Sequence, residues 1–99
     1  MNLLYCVENI ISKFENGSFF DSHTIIYELV SDKEFYQVYL DSFPKGCTIA
    51  QYHGQIAQLI EKSGLARKTL INGKEIQIKT HTIYGELGKN HLWEKTEKR

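Results

Sequence analysis

The stretch TLINGKEIQIK, residues 69–79, constrains this chain more than any other. Asn72-Gly73 stands between two runs rich in Ile, Leu and Thr. A two-residue type I′ turn needs φ > 0 at both central positions, and Asn-Gly supplies both at little steric cost. The pattern predicts a β-hairpin over 65–71 and about 74–84, pairing Ile71 with Lys74, Thr69 with Ile76 and Arg67 with Ile78. In that register Thr69, Ile71, Ile76 and Ile78 make an apolar face, expected to close a core. Lys68, Leu70, Glu75, Gln77 and Lys79 make a polar one, the alternation of a half-buried sheet. A three-residue loop with a bulge would change these pairs.

The hairpin follows a helical half. Leu4, Val7, Ile11 and Phe14 recur at helical spacing and predict a first helix over 2–15, with Gly17 as its C′ residue. Asp21-Ser22 opens a second helix carrying Ile25, Ile26, Leu29 and Val30. Ser31 and Glu34 fit a capping box for a third, stapled by Val30 and Phe35, that runs through Val38, Tyr39 and Phe43 to Pro44. Thr48 and Gln51 fit another, opening a fourth helix whose inward stripe is Ile49, Tyr52, Ile56, Leu59 and Ile60, ended by Gly64. Leu92 and Trp93 are expected to dock on the core, with 94–99 fraying beyond them. Helices followed by strands predict one α+β domain over 1–99.

Composition sets outer limits. Ninety-nine residues, 41% of them apolar, suit one core. No apolar run reaches the roughly 18 residues of a membrane span. The start, MNLLYCVENII, has no basic n-region and carries Glu8, unlike a signal peptide. Cys6 and Cys47 lie far apart among apolar neighbours, which reads as buried free thiols in a cytoplasmic protein, the alternative being one disulfide in a secreted domain. The zero net charge is divided: residues 1–50 hold three Lys/Arg against seven Asp/Glu, a balance of −4, and residues 51–99 hold nine against five, a balance of +4. Either the basic half meets an anionic partner or the two halves attract one another.

Catalytic and metal motifs find no foothold in the sequence. His23, His53, His81, His91, Cys6 and Cys47 show no paired short spacing of the kind a structural zinc site uses, and no metal or cofactor is expected. YGELGKN, residues 84–90, lacks the first glycine of a phosphate loop and has Asn90 where a Ser or Thr should hold magnesium. Asp21-Ser22-His23 are adjacent in sequence and point apart at a helix start, so they read as capping residues and not as a triad. The reading is non-enzymatic. Most aromatics fall on inward stripes; Tyr36 falls off them.

Two helices joined by SFPKGCT and followed by a hairpin resemble the winged helix-turn-helix superfamily in element order, over roughly residues 22–84. The resemblance implies double-stranded DNA as the partner and transcription regulation as the role, with the fourth helix in the major groove. Gln51, Gln55 and Gln58 then fall on its outward face with Lys62 continuing the line. Glutamine pairs bidentately with adenine, and N-terminal positions of a recognition helix meet base edges, which favours Gln51 and Gln55. Lys62, Lys68, Lys74 and Lys79 would hold phosphates. The alternative is a protein-interaction or inhibitor module on the same scaffold, working through the acidic helical half or dimerising there; zero net charge favours it. Gly54, in mid-helix, implies close approach of another helix or of a phosphate backbone.

Overall fold

A computed structural model describes the chain over residues 1–71, 74–75, 77–81 and 87–96, with side chains over 1–69 and 92–96. It is an α+β fold. Four helices, α1 (Leu3–Ser12), α2 (Ser22–Ser31), α3 (Lys33–Asp41) and α4 (Ile49–Lys62), accompany short strands. Of the strands, β1 (Phe19–Phe20) lies between α1 and α2. After α4 come β2 (Ala66–Lys68), β3 (Leu70–Ile71), β4 (Lys74–Glu75), β5 (Gln77–His81), β6 (Leu87–His91) and β7 (Trp93–Lys95).

Each helix begins where a short polar side chain can accept an orphan N–H. Asn2 Oδ1 accepts from Tyr5 N at 2.8 Å, and Asp21 Oδ1 accepts from Thr24 N at 2.9 Å. Thr48 and Gln51 form the expected reciprocal box. The third helix differs from expectation. Asp32, not Ser31, is its N-cap, accepting from Glu34 N and Phe35 N at 3.0 Å each. Ser31 still belongs to α2 and donates its hydroxyl to Tyr27 O. A carboxylate there accepts two N–H groups at the positive end of the helix dipole, which favours it over the neighbouring hydroxyl. The first helix is also shorter than expected, ending at Ser12. Gly17 is therefore not its C′ residue. It turns the chain into β1 at φ +86°, where its N–H donates to Lys95 O. Gly64, at φ +70°, does follow the end of α4.

The strands depart furthest from the single hairpin expected. A three-stranded antiparallel sheet runs β1-β7-β2, so the last strand is the central one. The described part of the β3–β4 ladder keeps the register of a two-residue loop, Ile71 opposite Lys74 and Leu70 opposite Glu75. Arg67 pairs with Glu94 and not with Ile78, which instead faces Asn90 in the separate β5–β6 ladder. Turn chemistry fixes only the pairs beside the turn; farther out, pairing with β7 buries Trp93, while the buried Lys95 is held by Asn16 Oδ1. The expected pair Thr69–Ile76, and the side chains of the Ile71, Ile76 and Ile78 face, lie outside the described residues. Fraying from residue 94 is overturned at Glu94 and Lys95, which sit in the central strand; 97–99 lie outside the described residues.

The core joins Cys6, Val7, Ile10 and Ile11 of α1 to Ile25, Ile26 and Leu29 of α2, Phe35 and Tyr39 of α3, and Tyr52, Ile56 and Ile60 of α4. Phe20, Leu65 and Trp93 close it from the sheet side. Ile49, expected inward, is exposed. Both cysteines are free, Cys6 fully buried and Cys47 half-buried. No helix among the described residues is long and apolar enough to cross a membrane.

Candidate nucleic-acid interface on helix four

The period of α4 sorts its residues cleanly. Tyr52, Ile56 and Ile60 face the core. On the opposite side Gln51, Gln55, Gln58 and Lys62 are all exposed. At about 100° per residue these four fall within a stripe about 60° wide. The structure thus brings together four of the seven candidate residues as one row. Glu61 is exposed beside them and sets one negative charge at the edge of the row.

Two of the amides already have duties. Gln51 Oε1 accepts from Thr48 N at 2.9 Å, closing the capping box. Bidentate pairing with adenine needs that same oxygen, so Gln51 can read a base edge fully only by giving up its cap. Gln55 Nε2 lies 3.6 Å from Cys47 Sγ, a weak contact with a soft acceptor. The side chains of Gln58 and Lys62 make no hydrogen bond or ion pair among the described residues.

Gly54 lies on the same exposed side, one turn beyond Gln51. A Cβ built there meets nothing within 4 Å among the described residues. Close approach by another helix, one of the two expectations for this glycine, is therefore overturned.

The three remaining lysines are elsewhere. Lys68 ends β2 on the inner face of the sheet, half-buried, its Nζ 5.8 Å from the centre of the Trp93 ring. It is not the outward phosphate contact expected of it. Lys74 is in β4 opposite Ile71, and Lys79 is in β5 opposite Lys89. Their side chains lie outside the described residues.

A polar aromatic cluster lies on the other side of α4 from this row. Tyr39 Oη and His53 Nε2 are 2.7 Å apart, and Tyr52 donates its hydroxyl to Tyr39 O. Burial pushes the Tyr52 phenol up to about 12, with Tyr39 adding to it and a hydrogen bond from Ser42 opposing it. Burial holds His53 below its ordinary value, and the nearby His23 adds to that. The sequence reading missed this cluster, whose signal was a histidine on the flank of an aromatic stripe.

The cross-strand row Phe19, Glu94 and Arg67 on the outer face of the sheet was also missed. Arg67 Nη2 lies 2.9 Å from Glu94 Oε1. Nothing local announced it, because its members come from residues 19, 67 and 94. No family model, curated protein or solved structure matches this chain.

Proposed function

We propose that this chain is a non-enzymatic winged-helix domain that binds double-stranded DNA through α4, in the manner of a transcription regulator. The observation that carries the reading is the outward face of α4. It is a row of amides ending in a lysine, beside a glycine that intramolecular packing does not require. A mid-helix glycine costs about 1 kcal/mol relative to alanine, and close approach of a phosphate backbone would offset that cost. Gln55 and Gln58 offer base-edge pairing; Lys62 supplies charge. The sheet order supports the same reading: a wing leaves the strand after the recognition helix and returns between it and the first strand. Seven residues, 42–48, separate α3 from α4, longer than the usual helix-turn-helix link.

The test is a titration of labelled random-sequence duplex with the intact chain over a salt series. The logarithm of the affinity should fall linearly with the logarithm of salt concentration. No binding at low salt overturns the reading.

A second reading, a protein-interaction module, is favoured by one observation. Tyr36 and Leu40 lie one turn apart on α3, 43% and 47% exposed, within the acidic half. Such residues suit a protein interface or a homodimer. Sedimentation over a hundredfold concentration range decides the homodimer: a constant monomer mass removes it.

A further inference from the structure

The outer face of the sheet carries a second candidate site, unconnected with the row on α4. Alternation along the strands turns Phe20, Trp93 and Lys95 inward, all buried, and leaves Phe19, Glu94 and Arg67 on the other face. The register sets these three side by side across the strands. With Lys68 and Thr69 they line a groove of about 270 Å³. That is close to the roughly 300 Å³ lower end of small-ligand sites, so it suits one planar group and not an extended ligand.

The chemistry in the groove is unusually mixed for its size. Phe19 is 58% exposed and presents an aromatic ring. The Arg67 side chain is 71% exposed. Its Nε and Nη2 both reach Glu94 Oε1, at 3.0 and 2.9 Å, which fixes the guanidinium near the sheet. Glu94 Oε2 makes no hydrogen bond or ion pair among the described residues. Thr69 Oγ1 is a buried hydroxyl with no hydrogen-bond partner among the described residues, and its residue lines the same groove. A buried polar atom of that kind costs free energy until something pairs with it.

We propose that this groove takes an unpaired base of a DNA single strand, with cytosine preferred over thymine. The base stacks on Phe19, and the guanidinium of Arg67 lies over or beside it; aromatic and arginine planes are the usual platform for unstacked bases. Glu94 Oε2 accepts from the exocyclic amine of cytosine, which thymine lacks. Lys68 sends its ammonium to the other face, over Trp93, so in the groove Arg67 balances Glu94 and recognition rests on the stack and the exocyclic amine.

The experiment is fluorescence anisotropy of the intact chain with labelled twelve-residue strands of cytosine or thymine at low salt. The cytosine strand should bind about tenfold more tightly. Phe19→Ala should weaken its binding about tenfold, the loss of one stack. The exposure of Phe19 means that this variant should keep the parent's melting temperature, while Phe19→Trp should retain binding. Glu94→Gln should narrow the ratio between the two strands. Equal affinity for the two strands, parental binding by Phe19→Ala, or an unchanged ratio in Glu94→Gln each overturns the proposal. Duplex binding through α4 is measured separately and stands or falls on its own.

Discussion

Tyr39 on α3 and His53 on α4 are joined by a hydrogen bond of 2.7 Å between Oη and Nε2, the polar seam of an otherwise aromatic contact. The groups around the imidazole are Tyr39 from α3, Tyr52 on its own helix and His23 from α2. Burial, with His23 second, holds the folded-state pKa of His53 below its ordinary 6.5. Above that value the ring is neutral in folded and unfolded chains alike and contributes nothing to pH dependence. As pH falls below it, the unfolded chain takes up a proton that the folded chain resists, and stability declines. Urea midpoints between pH 7.5 and 5.5 should therefore fall with pH, and His53→Gln should flatten the slope. Equal slopes in the two proteins would locate the proton uptake elsewhere.

Trp93 should be a keystone of the sheet. It is 3% exposed in the central strand, opposite Phe20 on one side and Lys68 on the other. Trp93→Ala should cost about 3–5 kcal/mol in chemical denaturation, the range for deleting a large buried ring. The neighbouring Lys95 is buried, with its ammonium 2.8 Å from Asn16 Oδ1. Asn16→Ala leaves that buried charge without this partner and should cost about 1–3 kcal/mol. A loss below about 0.5 kcal/mol would mean that Lys95 reaches solvent once the amide is gone.

These two residues also show where the sequence stops being legible. The caps at Asp21 and Thr48 were readable because their partners lie three residues away. The stripe of α4 was readable because its period is local. The central position of β7 was not. A polar tail with one tryptophan looks like a fraying end until Phe19–Phe20 and 66–68 flank it, and those partners are distant in sequence. The two-residue β1 has no signal of its own; it exists only through pairing. On α4 the conflict was visible in advance. Gln51 carries two incompatible duties in the sequence, the cap and base reading, and the cap holds the oxygen that the second needs.

The thiols should separate cleanly. Cys6 is fully buried, and burial raises its pKa; Cys47 is half-buried at the entrance to α4. Thiolates react and thiols do not, so a native chain should label at Cys47 within minutes and at Cys6 only through opening of the core. Mass spectrometry after a short pulse of maleimide should find one adduct, on Cys47. Denaturant should raise the count to two. Early labelling of Cys6 would mean that α1 separates readily from α2 and α4.

Gly54 links stability to binding. In a helix interior glycine costs about 1 kcal/mol relative to alanine, and no atom of the described residues stands within 4 Å of the position its Cβ would occupy. Gly54→Ala should therefore stabilise the chain by about 0.5–1 kcal/mol, read as a rise in the urea midpoint with an unchanged slope. If α4 lies against a phosphate backbone, the added methyl stands in the path of that approach, and duplex affinity should fall even as stability rises. Gln58→Ala, one turn along the same face, supplies the control: it removes an amide without adding bulk, so it should alter sequence preference with little change in stability. The opposed signs are what make the pair informative. A more stable Gly54→Ala chain that binds duplex as the parent does would leave the glycine without a role in binding and would remove the main support for α4 as the reading helix.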